Sequence, residues 1–261
     1  MTARSLAGRG AVVTGGGRGI GAAIAHALAR EGASVVVAAR TLKDLDDIAS
    51  QLRAEGASAW AARCDVTDEA AVGQLGRTAR ERLGHVDLLV NNAGASVSAP
   101  LRKITLEEWN DMLRVNATST FLCAREFAPE MVKRGWGRIV NMASFAGLHG
   151  GKYIAHYSAA KHAVVGFTRS IAVELDGTGV TVNAICPGYA DTPMTERTLG
   201  NVVARTGLSR ADALAVVLAT TGQERLTRPE EIADAVVALC REDASGRNGE
   251  TVLLEAGAAH A

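Results

Sequence analysis

Seven short apolar runs alternate with stretches of helical periodicity along this chain, and that rhythm leaves few folds open. The runs are GAVVTG, SVVVAAR, SAWAARCDV, VDLLVNNAG, GRIVNMAS, GVTVNAICPG and GETVLLEAG. Helical stretches lie at 20–30, 42–54 and 69–83. A long helical region precedes the fifth run, one helix carries HYSAAK, and another covers 229–240. Strands alternating with helices build βαβ units, whose right-handed crossovers wind helices onto both faces of a mostly parallel sheet. The composition agrees: 48% hydrophobic residues, 28 glycines and only 4% aromatics suit strands buried on both faces under small-residue helix contacts. The expected fold is α/β, a doubly wound, mostly parallel seven-stranded sheet with helices on both faces, in a single domain over 1–261. Residues 189–228 break the rhythm. They carry no strand pattern, and Val202, Val203, Leu208, Leu214, Val216, Val217 and Leu218 suggest one or two short helices. So long a connection in a compact domain reads as an inserted lid or a plain surface insertion.

Charge and cysteine usage narrow the function classes. Lys plus Arg and Asp plus Glu are balanced at 28 each, so no overall field draws the chain to nucleic acid or to a membrane surface. Cys64, Cys123, Cys186 and Cys240 are far apart, with no CxxC or CxxH spacing, so no metal site is expected. Isolated thiols suit a reducing compartment, and no apolar leader precedes the first glycines. No run approaches 18 apolar residues. The expectation is a cytoplasmic protein.

TGGGRGIG, residues 14–21, follows the first strand and opens the first helix. Its glycines, Gly15, Gly17, Gly19 and Gly21, permit left-handed backbone and close approach of a phosphate. The helix behind them offers unpaired N–H groups and the positive end of its dipole. Without a Gly-Lys-Ser/Thr, a nucleoside-triphosphate loop is disfavoured, and in this strand–turn–helix context a dinucleotide is expected. A ribose 2′-hydroxyl is usually held by an acid at the end of the second strand. Here that strand ends Val37-Ala38-Ala39-Arg40, and Arg18 lies within the glycine loop. Two guanidiniums and no acid suit a 2′-phosphate, so NADP(H) is expected over NAD(H), which stays possible.

Four polar residues, Asn116, Ser144, Tyr157 and Lys161, are expected at or just after strand ends, where open α/β sheets bind ligands. Tyr157 and Lys161 stand four apart, on one face of a helix. A free phenol has a pKa of about 10, and a cation within about 4–6 Å favours its ionised form. Such a pair can exchange a proton with an oxygen, while Ser144 can hold that oxygen in line. Lone structural roles remain open for each residue: a packing tyrosine, a solvated lysine, a strand-end cap.

TGGGRGIG, NNAG at 91–94, Asn116, Ser144, YSAAK and PG at 187–188 together resemble the short-chain dehydrogenase/reductase family, in order and over essentially the whole chain. The resemblance implies a Rossmann fold and hydride transfer between a nicotinamide and a ketone or secondary alcohol, and it favours a lid over a plain insertion at 189–228. It implies that Lys161 also holds the nicotinamide ribose and that Asn116 anchors a water relay from Lys161 to solvent. Ile20 belongs to the glycine loop's cofactor contacts. Asp65 and Val66 look like the adenine-contacting pair, Asn91, Ala93 and Gly94 would line the adenosine half, and Val115 would pack near the adenine. Pro187 and Gly188 would pass under the nicotinamide, with Thr192 bonding its carboxamide or a phosphate. His149 and Tyr189 are the expected substrate contacts; His156 and His162 read as pocket lining or helix surface. The ending GETVLLEAGAAH departs from the usual closing Gly-Gly, which touches the C-terminal subunit contact.

Within the family the pattern looks closest to reductases of 3-oxoacyl thioesters and polyketide ketones. Val173 stands where carrier-protein reductases commonly have Arg, leaving a CoA thioester open, and Arg197, Arg205 and Arg210 of the lid could meet CoA phosphates. The alternatives are an aromatic polyketide ketoreductase, an NAD-dependent cyclic or secondary alcohol dehydrogenase and, remotely, a non-catalytic nucleotide sensor, which would be expected to lose Tyr157 or Lys161. The helices near 118–133 and 157–175 carry apolar residues on more than one face, among them Phe121, Phe127, Val164, Val165 and Phe167. A second apolar face predicts a partner subunit, and the resemblance implies a homotetramer.

Overall fold

The computed structural model describes residues 5–256. The seven apolar runs form strands β1 (Gly10–Thr14), β2 (Ser34–Ala39), β3 (Ala59–Arg63), β4 (Leu88–Asn91), β5 (Gly137–Met142), β6 (Val180–Pro187) and β7 (Thr251–Leu254). They make one sheet in the order β3-β2-β1-β4-β5-β6-β7, with every neighbouring pair parallel. The chain winds outward from β1 to β3, then crosses back to place β4 on the other side of β1. That reversal opens a crevice at the carboxyl ends of β1 and β4, where a doubly wound sheet holds its ligand.

Helices α1 (Gly19–Arg30), α2 (Leu42–Ala54) and α3 (Glu69–Leu83) connect the first four strands, and their bounds match the expected stretches to within a residue. Sequence chemistry sets such bounds. The Asp68 carboxylate caps α3 by accepting from the Ala70 and Ala71 amides, and Gly84 ends it at φ 75°. Successive residues of β1 point to opposite faces of the sheet. Val13 packs into the core with Ile24 and Leu28 of α1; Val12 packs into the opposite core with Leu75 of α3.

The long helical region is α4 (Leu106–Leu113), a π turn at Arg114–Thr118 and α5 (Ser119–Arg134), without a break between them. Asn116, expected near a strand end, lies instead inside this π turn. The extra residue of a π turn bulges the helix and re-aims the side chains it carries. Helix α6 (Ala155–Glu174) carries Tyr157 and Lys161, so these two also belong to a helix rather than a strand end.

The inserted segment holds two helices, α7 (Pro193–Thr206) and α8 (Arg210–Ala219), packed on a small core of Leu199, Ala213 and Val217. Thr192 caps α7, Pro193 opens it and Gly207 closes it at φ 72°. A single β-bridge between Ala190 and Thr227 draws the two ends of the insertion together. Helix α9 (Pro229–Cys240) then packs beside α1, with Ile232 and Val236 joining the core beneath Val13.

The expected second apolar face is narrower than the sequence suggests. Phe127, Val164 and Val165 are buried within the chain, because α5 and α6 each bury more than one face against the sheet and their neighbours. Phe121, 41% exposed, and Phe167 remain toward solvent, stacked edge to face with ring centroids 6.2 Å apart. No helix among the described residues is long and apolar enough to cross a membrane. The close of GETVLLEAGAAH, from residue 257, lies outside the described residues.

Candidate active site

A cavity of about 290 Å³ opens at the crevice between β1 and β4. Gly15, Gly17, Arg18, Gly19, Ile20 and Gly21 line one wall. Gly15 and Gly19 have φ of 65° and 53°, the left-handed region that glycine adopts without strain. Asn92 fixes this loop to β4: its side-chain amide donates to the carbonyls of Thr14 (3.0 Å) and Gly15 (3.2 Å). The Thr14 hydroxyl accepts from the backbone amides of Asn92 and Ala93. Asn92 is absent from the residues expected of the site, although the NNAG motif contains it.

Arg40, Asp65 and Val66 line the end of the cavity beyond β2 and β3. Asp65 accepts from the Thr67 amide and hydroxyl at 3.0 and 2.7 Å, which holds its carboxyl below the usual range, with Arg40 and Arg114 assisting. Ala93, Gly94 and Val115 form the middle of the wall. Asn91 departs from expectation. It does not line the cavity; it is buried and donates to Asn141 at 2.8 Å, and Asn141 in turn donates to Thr168. The pleat turns alternate residues to opposite faces, so Asn91 points into the core between β4, β5 and α6.

Asn116, Tyr157, Lys161, Pro187 and Thr192 line the other end. Asn116 is locked in place: its amide donates to the carbonyls of Ala95 (2.9 Å) and Met112 (3.0 Å). A Cβ on Gly94 would lie 2.7 Å from its Oδ1 and 3.5 Å from Lys161 Nζ, so this packing needs glycine at 94. Lys161 is 5% exposed and donates to the Met142 carbonyl at 2.8 Å. Burial pulls its ammonium down to about 8. Its Nζ lies 5.9 Å from the centre of the Tyr157 ring.

The electrostatics of Tyr157 differ from the expectation. Burial pushes the phenol above its ordinary value, the neighbouring Ser144 hydroxyl opposes that shift, and Tyr189 and Cys186 add to it. Desolvation therefore outweighs stabilisation of the ionised form in the free chain, and Tyr157 stays protonated at neutral pH. Ser144 stands beside Tyr157 at the end of β5, outside the main cavity wall, where its hydroxyl also accepts from the Ala146 amide at 3.2 Å.

The substrate side is assembled by contacts the sequence does not announce. The Ser158 hydroxyl lies 2.6 Å from the Ala146 carbonyl and 3.0 Å from that of His149, tying the segment after β5 to α6. His149 stacks on Phe145 at 4.3 Å, facing solvent rather than the cavity. His162 bonds the Ser158 carbonyl on the helix surface, and His156 is buried with neither ring nitrogen bonded. Gly188 and Tyr189 also stand outside the cavity wall; Gln223 packs against Gly188, where a Cβ would fall 2.2 Å from its Oε1, and clamps Tyr189. Its Oε1 accepts from the Tyr189 amide at 2.6 Å and its Nε2 donates to the Tyr189 carbonyl, the Arg225 carbonyl and the Thr227 hydroxyl. Tyr189 also packs against the small core of α7 and α8. No motif surrounds Gln223, so only its contacts reveal it.

Comparison with known proteins gives a consistent result. The family described as short chain dehydrogenase matches residues 9–201. A cis-4-hydroxycyclohexanecarboxylate dehydrogenase from Sinomonas cyclohexanicum is 39% identical, the match covering 97% of each chain. A 3-oxoacyl-acyl-carrier-protein reductase from Salmonella typhimurium is 36% identical, covering 97% of this chain and 98% of its own. The crystal structure of an actinorhodin polyketide ketoreductase with NADPH superposes with a TM-score of 0.90 at 36% identity, covering 95% of both chains.

Proposed function

The chain belongs to the short chain dehydrogenase family of oxidoreductases, and on that premise we propose that it reduces the ketone of a 3-oxoacyl thioester with NADP(H) as coenzyme. The observation that carries this reading is that Tyr157 and Lys161 line the same cavity as the glycine loop. The cavity fits a dinucleotide. Gly15 and Gly19 hold left-handed turns, and a Cβ on Gly21 would fall 2.2 Å from the Gly15 carbonyl, so helix α1 approaches the loop as closely as backbone allows. The solved relative bound to NADPH and the pair Arg18 and Arg40 support a 2′-phosphate.

The α1 amides and Arg40 would hold the coenzyme's phosphates, Asp65 and Val66 would line its adenine side, and Pro187 and Thr192 its nicotinamide end. When bound, the coenzyme would supply the hydride. Ser144 donates to the substrate carbonyl oxygen and keeps it in line with Tyr157. Tyr157, protonated at neutral pH, gives its proton to that oxygen as the carbon is reduced. The phenolate left behind lies beside the Lys161 ammonium, which stabilises it. Asn116 keeps the α4–α5 helix against Gly94 and Lys161.

The relatives named for 3-oxoacyl and polyketide ketone reduction support the thioester substrate. A cyclic secondary alcohol is the second reading, supported by the 39% identical cyclohexanecarboxylate dehydrogenase. Acetoacetyl-CoA, a bicyclic ketone and simple secondary alcohols, each assayed with both coenzymes, separate the two: the higher kcat/KM identifies the class. Tyr157→Phe should lower turnover at least about a hundredfold while NADPH binds within about twofold of normal. Near-normal turnover would remove Tyr157 as the acid.

The exposed stack of Phe121 and Phe167, with Val173 79% exposed on the same helix as Phe167, supports a subunit interface and hence a homotetramer. Four free, buried thiols support a cytoplasmic location.

A further inference from the structure

The lid's first helix rests directly on the glycine loop. A Cβ on Gly19 would lie 3.5 Å from the Thr192 methyl and 3.9 Å from Pro193, so the start of α7 covers the N-terminus of α1. Arg197 stands one turn beyond Pro193, on the same helical face. It lines the cavity together with Gly17, Arg18 and Gly19. Of the other cations of that cavity, Arg18 belongs to the glycine loop itself at the start of α1, Arg40 stands near Asp65 at the adenosine side, and Lys161 stands at the far end beside Gly94. Between them, over α1, Arg197 is the cation the lid supplies. It is not engaged elsewhere: its neighbouring acid, Glu196, is held by Arg210, and no ion pair engages Arg197 among the described residues. An exposed, uncommitted guanidinium above unpaired helix amides is a fitted ligand for a bridging diphosphate.

We infer that Arg197 binds the coenzyme's pyrophosphate, so that the lid closes on the coenzyme through its first helix rather than on a CoA moiety of the substrate. The inference rests on the dinucleotide reading of the cavity. It assigns the three cavity arginines different tasks: Arg40 and Arg18 discriminate the 2′-phosphate, while Arg197 serves both coenzymes alike and orders α7, Thr192 and Met194 over the nicotinamide end. Among the lid arginines named from the sequence as CoA contacts, Arg197 then belongs to the coenzyme.

The test is equilibrium binding, read by fluorescence titration of the coenzyme-free protein with NADPH and separately with NADH. Arg197→Ala should raise both dissociation constants by the same factor, about tenfold, leaving their ratio unchanged. Arg197→Lys should fall between, since an ammonium keeps the charge but loses the fork. Arg197 is exposed, so the unliganded variant should melt with the parent protein. Weakening of NADPH alone would move Arg197 to the 2′-phosphate and overturn the inference. So would unchanged binding of both coenzymes together with a raised KM for acetoacetyl-CoA but not for the shorter N-acetylcysteamine thioester. Failure of the parent protein to bind either coenzyme would instead refute the dinucleotide reading itself.

Discussion

Replacing Lys161 with methionine should abolish turnover and yet stabilise the coenzyme-free protein at neutral pH. Lys161 is almost wholly buried with no carboxylate beside it, and burial lowers its ammonium from 10.5 to about 8. Between those values the unfolded chain binds a proton that the native chain has released, so stability rises as pH rises through this window. At pH 7 the buried charge costs about 3 kcal/mol, the full shift converted at 1.36 kcal/mol per unit. At pH 9.5 about half of that remains. Methionine, of similar length, removes the cost but forfeits the bond to the Met142 carbonyl, about 1 kcal/mol at any pH. The variant should therefore be about 2 kcal/mol more stable at pH 7, with the advantage close to zero by pH 9.5. Urea unfolding of both proteins across pH 6.5–9.5 measures this directly. Other titrating groups are common to both and cancel in the difference. Two stability curves that run parallel over that range would refute the argument, because they would mean that the Lys161 proton does not respond to its burial. A buried lysine that burdens the fold is the pattern that the proposed role of Lys161 requires, since that role needs a desolvated charge.

Two further outcomes follow from the site. Arg40→Asp should move coenzyme preference toward NADH by about tenfold or more, since it exchanges a fork for the 2′-phosphate for an acceptor of the 2′-hydroxyl; an unchanged ratio of kcat/KM values would take Arg40 away from that phosphate. Phe121→Asp, at the exposed stack with Phe167, should shift light-scattering mass toward smaller species without loss of folded structure; an unchanged mass would place the subunit interface elsewhere, and a monomeric parent protein would remove it.

Much of this molecule was written locally. The β1–α1 turn demands left-handed backbone at Gly15 and Gly19, and glycine is the residue that meets that demand, so the loop was legible in eight letters. The alternation of Val12 and Val13 between two cores, and helices ending at caps such as Asp68 and Gly84, follow from side-chain period and backbone preference within a few residues. The spacing of Tyr157 and Lys161 put them on one helical face by the same rule. What required the folded chain was everything set by residues distant in sequence. Asn91 looked like a wall of the cavity until its pairing with Asn141, 50 residues on, turned it inward. Gln223 reaches back 34 residues to hold Tyr189, and no local pattern marks it. The low ammonium of Lys161 and the raised phenol of Tyr157 arise from desolvation by strands and loops packed around them, a property of the assembled interior. Sequence encodes local conformation because steric and hydrogen-bond preferences act over one or two turns; burial, and the chemistry it tunes, exists only once separate elements have closed around a group.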